Sequence, residues 1–127
     1  SNSLLFYLVF YLSSFLLCTT LVNAQRIDID QLEKATARTP ILIDVRTNEE
    51  YTQGTIPGAM SLNIHSEDFK RVIEVLPRER EIIVFCQSGE RSNEAFEMLT
   101  SLGFKNVSQL AGGYEVWREA QEKRKDK

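Results

Sequence analysis

Histidine and cysteine are scarce in this sequence: 127 residues contain one His, His65, and two Cys, Cys18 and Cys86. That set cannot fill a four-ligand zinc site or build a disulfide framework. Six Gly and three Pro are too few for a collagen-like, linker or low-complexity tract, and no internal repeat is present. Neither sign of charge is in large excess. Fifteen Lys and Arg stand against 18 Asp and Glu, a formal net charge of −3 with the signs interspersed. No basic stripe results, so nucleic-acid binding is disfavoured as the main role. The length suits one domain and not two.

The charges are also absent from one end. Residues 1–25 carry no Lys, Arg, Asp or Glu, and every charged residue lies from Arg26 onward. Within the uncharged end, Leu4 to Val22 is a predominantly apolar run. As a helix it would be about 28 Å long, close to the roughly 30 Å hydrocarbon thickness of a bilayer. Val22 and Ala24 precede Gln25 in the small-residue spacing that signal peptidase accepts. Residues 1–24 therefore read as an export signal cut after Ala24, with an uncleaved anchor over residues 4–22 as the alternative. A buried helix of the domain is disfavoured, because the run has apolar residues on every side. Cys18 follows Leu17 and not a small residue, which argues against a lipid-modified cysteine. The expected location is outside the cytoplasm, in a bacterial periplasm, with membrane contact only if the leader is retained. Without the leader, Cys86 is the one remaining thiol, either buried and inert or reactive.

Residues 25–127 read as one α/β domain. Ile27 and Ile29 alternate with polar residues as a half-exposed strand. Asp30 is expected to cap a helix over Gln31–Ala37, ending before Pro40. Ile41 to Val45 is a strand covered on both faces. Thr47 to Glu50 has the form of a capping box, opening a short helix stopped by Gly54. A third strand is expected over Ala59–Ile64, and a helix capped by Ser66 is closed by Pro77. Ile82 to Phe85 is the strongest strand signal, with Cys86 at its C-terminal end. A helix follows over Ser92–Leu102, with Gly103 just past it. Val107 to Leu110 is the last strand, and Gly112-Gly113 leads into a helix carrying Tyr114 and Trp117. Glu122–Lys127 reads as a frayed, solvated end. This alternation implies a parallel sheet of about five strands with helices on both faces. In such sheets ligands bind beyond the C-terminal strand ends, where Cys86 falls.

The segment Cys86-Gln87-Ser88-Gly89-Glu90-Arg91-Ser92 supplies the chemistry. A cysteine follows a buried strand, Gly89 permits a tight loop, and a helix begins soon after. Such a turn aims consecutive backbone N–H groups and the positive end of a helix dipole at one point. An anionic sulfur at that point would be stabilised. Arg91 adds charge to the loop or holds its backbone open, while Glu90 is expected to face solvent. A Cys–His pair would need the fold to bring in His65, and that is not expected.

This loop resembles the active-site loop of single-domain rhodaneses, the C-x-x-G-x-R-[ST] pattern. Three further segments are similar to that family: Ile43-Asp44-Val45-Arg46 with Glu50-Tyr51, Gly54 to Ala59 with Thr55 in place of a usual His, and Leu110 to Trp117. The resemblance spans residues 26–120 in the family's order. It implies a rhodanese-like three-layer fold and sulfur transfer through a persulfide on Cys86, with a small-molecule sulfur donor and a thiol or protein acceptor. It implies that backbone amides of Gln87, Ser88, Gly89, Glu90, Arg91 and Ser92 cradle the terminal sulfur, with Asp44 and Arg46 in support. No metal or organic cofactor is required, and Thr55 in place of the His is expected to weaken nothing catalytic. Rhodanese-related phosphatases have five residues between Cys and Arg. Cys86 and Arg91 enclose four, which leaves room for a single sulfur and crowds a phosphate. A sulfur carrier or protein-interaction module is the remaining alternative. Tyr51, Tyr114 and Trp117 read as packing residues, and Gly112-Gly113 as a turn needing positive φ.

Overall fold

The computed structural model describes residues 2–7 and 25–127. Residues 2–7 are helical (α1), with Leu4, Leu5, Phe6 and Tyr7 exposed. The remainder of the apolar run, and the junction at Ala24, lie outside the described residues. Among the described residues no helix is long and apolar enough to cross a membrane.

Five strands form one sheet in the order β1-β5-β4-β2-β3, with every pair parallel. They are β1 (Arg26–Ile27), β2 (Ile41–Asp44), β3 (Met60–Ser61), β4 (Ile82–Phe85) and β5 (Val107–Leu110). Between them run α2 (Ile29–Thr36), α3 (Asn48–Gln53), α4 (Asp68–Glu74) and α5 (Glu90–Ser101), and α6 (Gly113–Lys125) follows β5. The central strand β4 is buried at every position, as its unbroken Ile-Ile-Val-Phe requires. Its side chains alternate between two cores. Ile82 and Val84 face a core that includes Phe69 and Ile73 of α4 and Ala95 and Leu99 of α5. Ile83 and Phe85 face a second with Leu32 and Ala35 of α2, against which Tyr114 and Trp117 of α6 pack. Both faces are therefore covered, and the two-residue edge strands offer little backbone for pairing with other chains.

The local boundaries differ from the sequence reading at several places. Asp28, not Asp30, caps α2. Its Oδ1 accepts the Gln31 N–H at 2.8 Å, and the Gln31 Oε1 accepts the Asp28 N–H at 2.9 Å. This reciprocal box draws Ile29 into the helix. The third strand shortens to Met60–Ser61, because the chain turns at Asn63–Ser66. Ser66 accepts the Asp68 N–H at 3.2 Å, but the helix cap is Glu67, which makes no capping bond of its own. The C-terminal end is helical to Lys125 and not frayed. Lys123, Arg124 and Lys125 complement the helix dipole there, and Arg124 pairs with Glu33 of α2. The most consequential shift is at α5, which begins at Glu90, two residues before the expected start. Gly89 (φ +135) serves as its cap.

Candidate active site

Parallel pairing sets the C-terminal ends of β2 and β4 side by side. Asp44 stands opposite Phe85, and the Val45 N–H donates to the Phe85 carbonyl at 3.0 Å. Gln87 is thereby delivered next to Arg46, and Cys86 stands one residue before it. The Cys86 side chain is buried, and its Sγ accepts the Gly89 N–H at 3.1 Å. The loop has turned back over the sulfur within three residues.

The other loop N–H groups are equally informative. Those of Gln87, Ser88, Glu90, Arg91 and Ser92 have no acceptor among the described residues. The first helical bond of α5 is from the Asn93 N–H to the Gly89 carbonyl, 3.2 Å. The cap of α5 makes no side-chain hydrogen bond, so the donors of its first turn stay open.

Each expected site residue has a definite place. Gln87 accepts from Arg46 Nη1 at 3.0 Å through Oε1 and donates to Glu115 at 3.4 Å through Nε2. Ser88 is exposed at the lip of the loop, and Glu90 faces solvent as expected. Ser92 contributes only its backbone, because its hydroxyl is buried against the Gly89 carbonyl (3.0 Å) and Gln109 Oε1 (3.3 Å). Arg91 forms a two-point pair with Glu50 of α3, at 2.6 and 3.0 Å. That pair holds the Glu50 carboxyl down at about 2, with the Arg91 hydrogen bond the largest cause. Arg91 is raised above its ordinary value, first by Glu50, with smaller contributions from the charges of Cys86 and Asp44.

Asp44 and Arg46 form a buried ion pair, with Arg46 Nη2 and Asp44 Oδ2 at 2.8 Å. Buried charges persist only when every polar atom finds a partner. Asp44 also accepts the Arg46 backbone N–H at 3.0 Å and the Thr55 hydroxyl at 2.8 Å. Arg46 also donates to the Gly54 carbonyl at 2.7 Å and lies 4.3 Å from the centre of the Tyr114 ring. Thr55 is thus part of the support for the loop, a role that the sequence reading did not give it.

Two depressions flank the loop. One, of about 510 Å³, is bounded by Arg26, Ser88, Gly89, Glu90, Asn93 and Gly112 among others. The other, of about 250 Å³, lies between Arg46, Glu50, Gln87, Tyr114 and Arg118. His65 is exposed beyond β3, and no hydrogen bond joins it to Cys86. Besides Thr55, two further contributors escaped the sequence reading. The sequence shows Glu50 as part of a capping box and of a family-like segment, with no role at the loop; it does fill the box, since it also accepts from Thr47. Gln109 is a polar residue at an inward strand position, and that placement was its signal. It holds Asn93 at 3.1 Å as well as Ser92.

A parallel α/β sheet with a cysteine-headed loop running into a helix defines a class of sulfur-handling domains. The chain belongs to the family of rhodanese-like domains, whose model matches residues 28–120. It is 34% identical over 93 residues to a sulfurtransferase of Allochromatium vinosum, covering 72% of this chain and 85% of that protein. It is 31% identical over 97 residues to the thiosulfate sulfurtransferase GlpE of Shewanella oneidensis, covering 76% of this chain and 94% of the relative. Among solved structures it is similar to the human single-domain sulfurtransferase TSTD1, with a TM-score of 0.65 and 30% identity, covering 76% of this chain and 97% of that one. The chain is a rhodanese-type transferase and its reaction is sulfur transfer, between a small-molecule donor and an acceptor.

Proposed function

We propose that the chain moves sulfane sulfur from thiosulfate, or a donor of the same chemistry, to a thiophilic acceptor through a persulfide on Cys86. The observation that carries this reading is the Gly89 N–H on the Cys86 sulfur at 3.1 Å, in a loop whose other N–H groups have no acceptor among the described residues. Fixed donors around a sulfur stabilise negative charge on it at no cost in reorganisation during the reaction.

In the first half-reaction the Cys86 thiolate attacks the outer sulfur of thiosulfate. The new bond joins Cys86 Sγ to that sulfur. The bond to the inner sulfur breaks, and its electron pair leaves with sulfite. The charge that began on Cys86 now lies on the terminal sulfur of Cys86–S–S⁻, about 2 Å further out. In the second half-reaction an acceptor attacks the terminal sulfur, and the Sγ–S pair returns to Cys86 as thiolate. Cyanide leaves as thiocyanate, and a cellular or protein thiolate leaves as its own persulfide. Neither half-reaction calls for a metal or an organic cofactor. Arg46 orients the loop through Gln87, and Arg91 fixes the head of α5 through Glu50.

The test is steady-state thiocyanate production from thiosulfate and cyanide. Many turnovers per chain are expected, and none for Cys86→Ser with an unchanged circular-dichroism spectrum. A single turnover that then stops would replace the enzyme reading with that of a sulfur carrier. Hydrolysis of a phosphate ester would favour the phosphatase alternative.

We further propose that the reaction takes place outside the cytoplasm, with residues 1–24 acting as an export signal or residues 4–22 as an anchor. The uncharged run and the Val22–Ala24 junction support export. The mass of the protein isolated from its native cell distinguishes the two. Loss of residues 1–24 marks a cleaved signal, and retention marks an anchor.

A further inference from the structure

In an uninterrupted α-helix the N–H groups of Glu90 and Arg91 would bond to the carbonyls four residues earlier, those of Cys86 and Gln87. Those carbonyls point elsewhere, toward donors of another helix. The Tyr114 N–H donates to the Cys86 carbonyl at 2.8 Å, and the Glu115 N–H donates to the Gln87 carbonyl at 3.2 Å. Both donors belong to the first turn of α6. The peptide bonds are trans, so a carbonyl drawn toward α6 turns the N–H of the same peptide the opposite way. The N–H groups of Gln87 and Ser88 are therefore turned from α6, and those of Glu90 and Arg91 are left without acceptors. Helix α6, 13 residues long, thus has a job that its sequence does not advertise.

We infer that Gly113 is a positioning residue for sulfur transfer: by letting the head of α6 press against the Cys86–Gln87 carbonyls, it keeps the sulfur-binding N–H groups open. Glycine is required there for contact as well as for its backbone angle (φ +62). A Cβ on Gly113 would lie 2.4 Å from the Cys86 carbonyl oxygen and 2.7 Å from that of Gln87. Both are backbone atoms, which cannot swing aside as a flexible side chain does. Any side chain at 113 must therefore lift α6 from the loop. The freed carbonyls can then accept from Glu90 and Arg91 and close the cradle. Gly103 supplies the matched control. It has φ +94, but a Cβ there meets nothing within 4 Å, and it lies at the far end of α5.

The inference rests on the reading of Cys86 as a persulfide-forming nucleophile, and the test keeps the two apart. The full chain, Gly113→Ala and Gly103→Ala are compared by thiosulfate–cyanide turnover and by residue-resolved amide hydrogen exchange. Gly113→Ala is expected to lose at least tenfold in kcat/KM. Its amides at 114 and 115 should lose protection while those at 90 and 91 gain it. Gly103→Ala should keep its kcat/KM and show no such exchange of protection. Wild-type turnover in Gly113→Ala, or protection lost evenly with no gain at 90 and 91, would overturn the inference. Should Gly113→Ala fail to fold, the wild-type chain gives the second reading. Its amides at 114 and 115 should be protected while those at 90 and 91 exchange freely, and the reverse pattern would overturn it. A wild-type chain that takes up no sulfur yet shows this amide pattern would sink the persulfide reading and leave the α6 contact standing.

Discussion

Arg91 and Glu50, 41 residues apart in sequence, meet through two hydrogen bonds that join the head of α5 to the head of α3. On the inner side of the same helix, Ser92 and Asn93 are held by Gln109 of β5. The first turn of α5 is thus fixed from both sides, directly after the loop that carries Cys86.

Removal of the outer hold should affect turnover more than folding. The Arg91–Glu50 pair is partly exposed, and such pairs contribute about 1 kcal/mol or less. Arg91→Ala should therefore lower the melting temperature by about 5 °C or less. It should reduce kcat/KM for thiosulfate by about tenfold, since a fixed donor array loses value when its helix can shift. Equal turnover in the variant and the wild type would show that the pair is only a surface link.

Acid should dissolve this pair only at low pH. In the folded chain the Glu50 carboxyl is held at about 2, against an ordinary value of 4.5. A carboxyl lowered on folding contributes its full stability above the ordinary value and loses it as the pH falls toward the folded value. The difference in urea midpoint between wild type and Glu50→Gln should be constant from pH 7 to about pH 5 and shrink steadily between about pH 4.5 and pH 2. A gap that stays unchanged down to pH 3 would contradict the pairing.

The inner ion pair behaves differently, because it is buried. Arg46→Ala leaves Asp44 charged in the core with only the Thr55 hydroxyl and one backbone N–H as partners. Breaking a buried pair on one side costs about 3–5 kcal/mol. Equilibrium urea unfolding should show a loss of that order, several times that of Arg91→Ala. The two variants thus separate the support of the fold from the support of the loop. A loss below about 1 kcal/mol would mean that water reaches Asp44.

Much of this arrangement is legible in the sequence, and the limits of that legibility are physical. Ile82 to Phe85 could only be a strand covered on both faces, and Cys86 at its end pointed to the site. The capping box at Thr47 is present as read, down to Glu50 as its third residue. Gly112-Gly113 has the positive φ expected of it. Boundaries differ where two nearby residues compete for one role. Asp28 prevailed over Asp30 because Gln31 could return its hydrogen bond, and Gly89 started α5 ahead of Ser92. The Arg91–Glu50 pair and the α6 contact with the loop were illegible, since each joins residues distant in the chain whose meeting depends on strand order. Gln109 lay between these cases, a polar side chain on an inward face whose partners only the fold reveals.

The central claim is tested most directly by intact mass spectrometry of the purified chain after incubation with thiosulfate, followed by cyanide. The account predicts a gain of one sulfur mass on the wild type, located at Cys86, removed by cyanide and absent from Cys86→Ser. An adduct that survives on Cys86→Ser, or a wild type that takes up no sulfur from thiosulfate or any other sulfane donor, would contradict it.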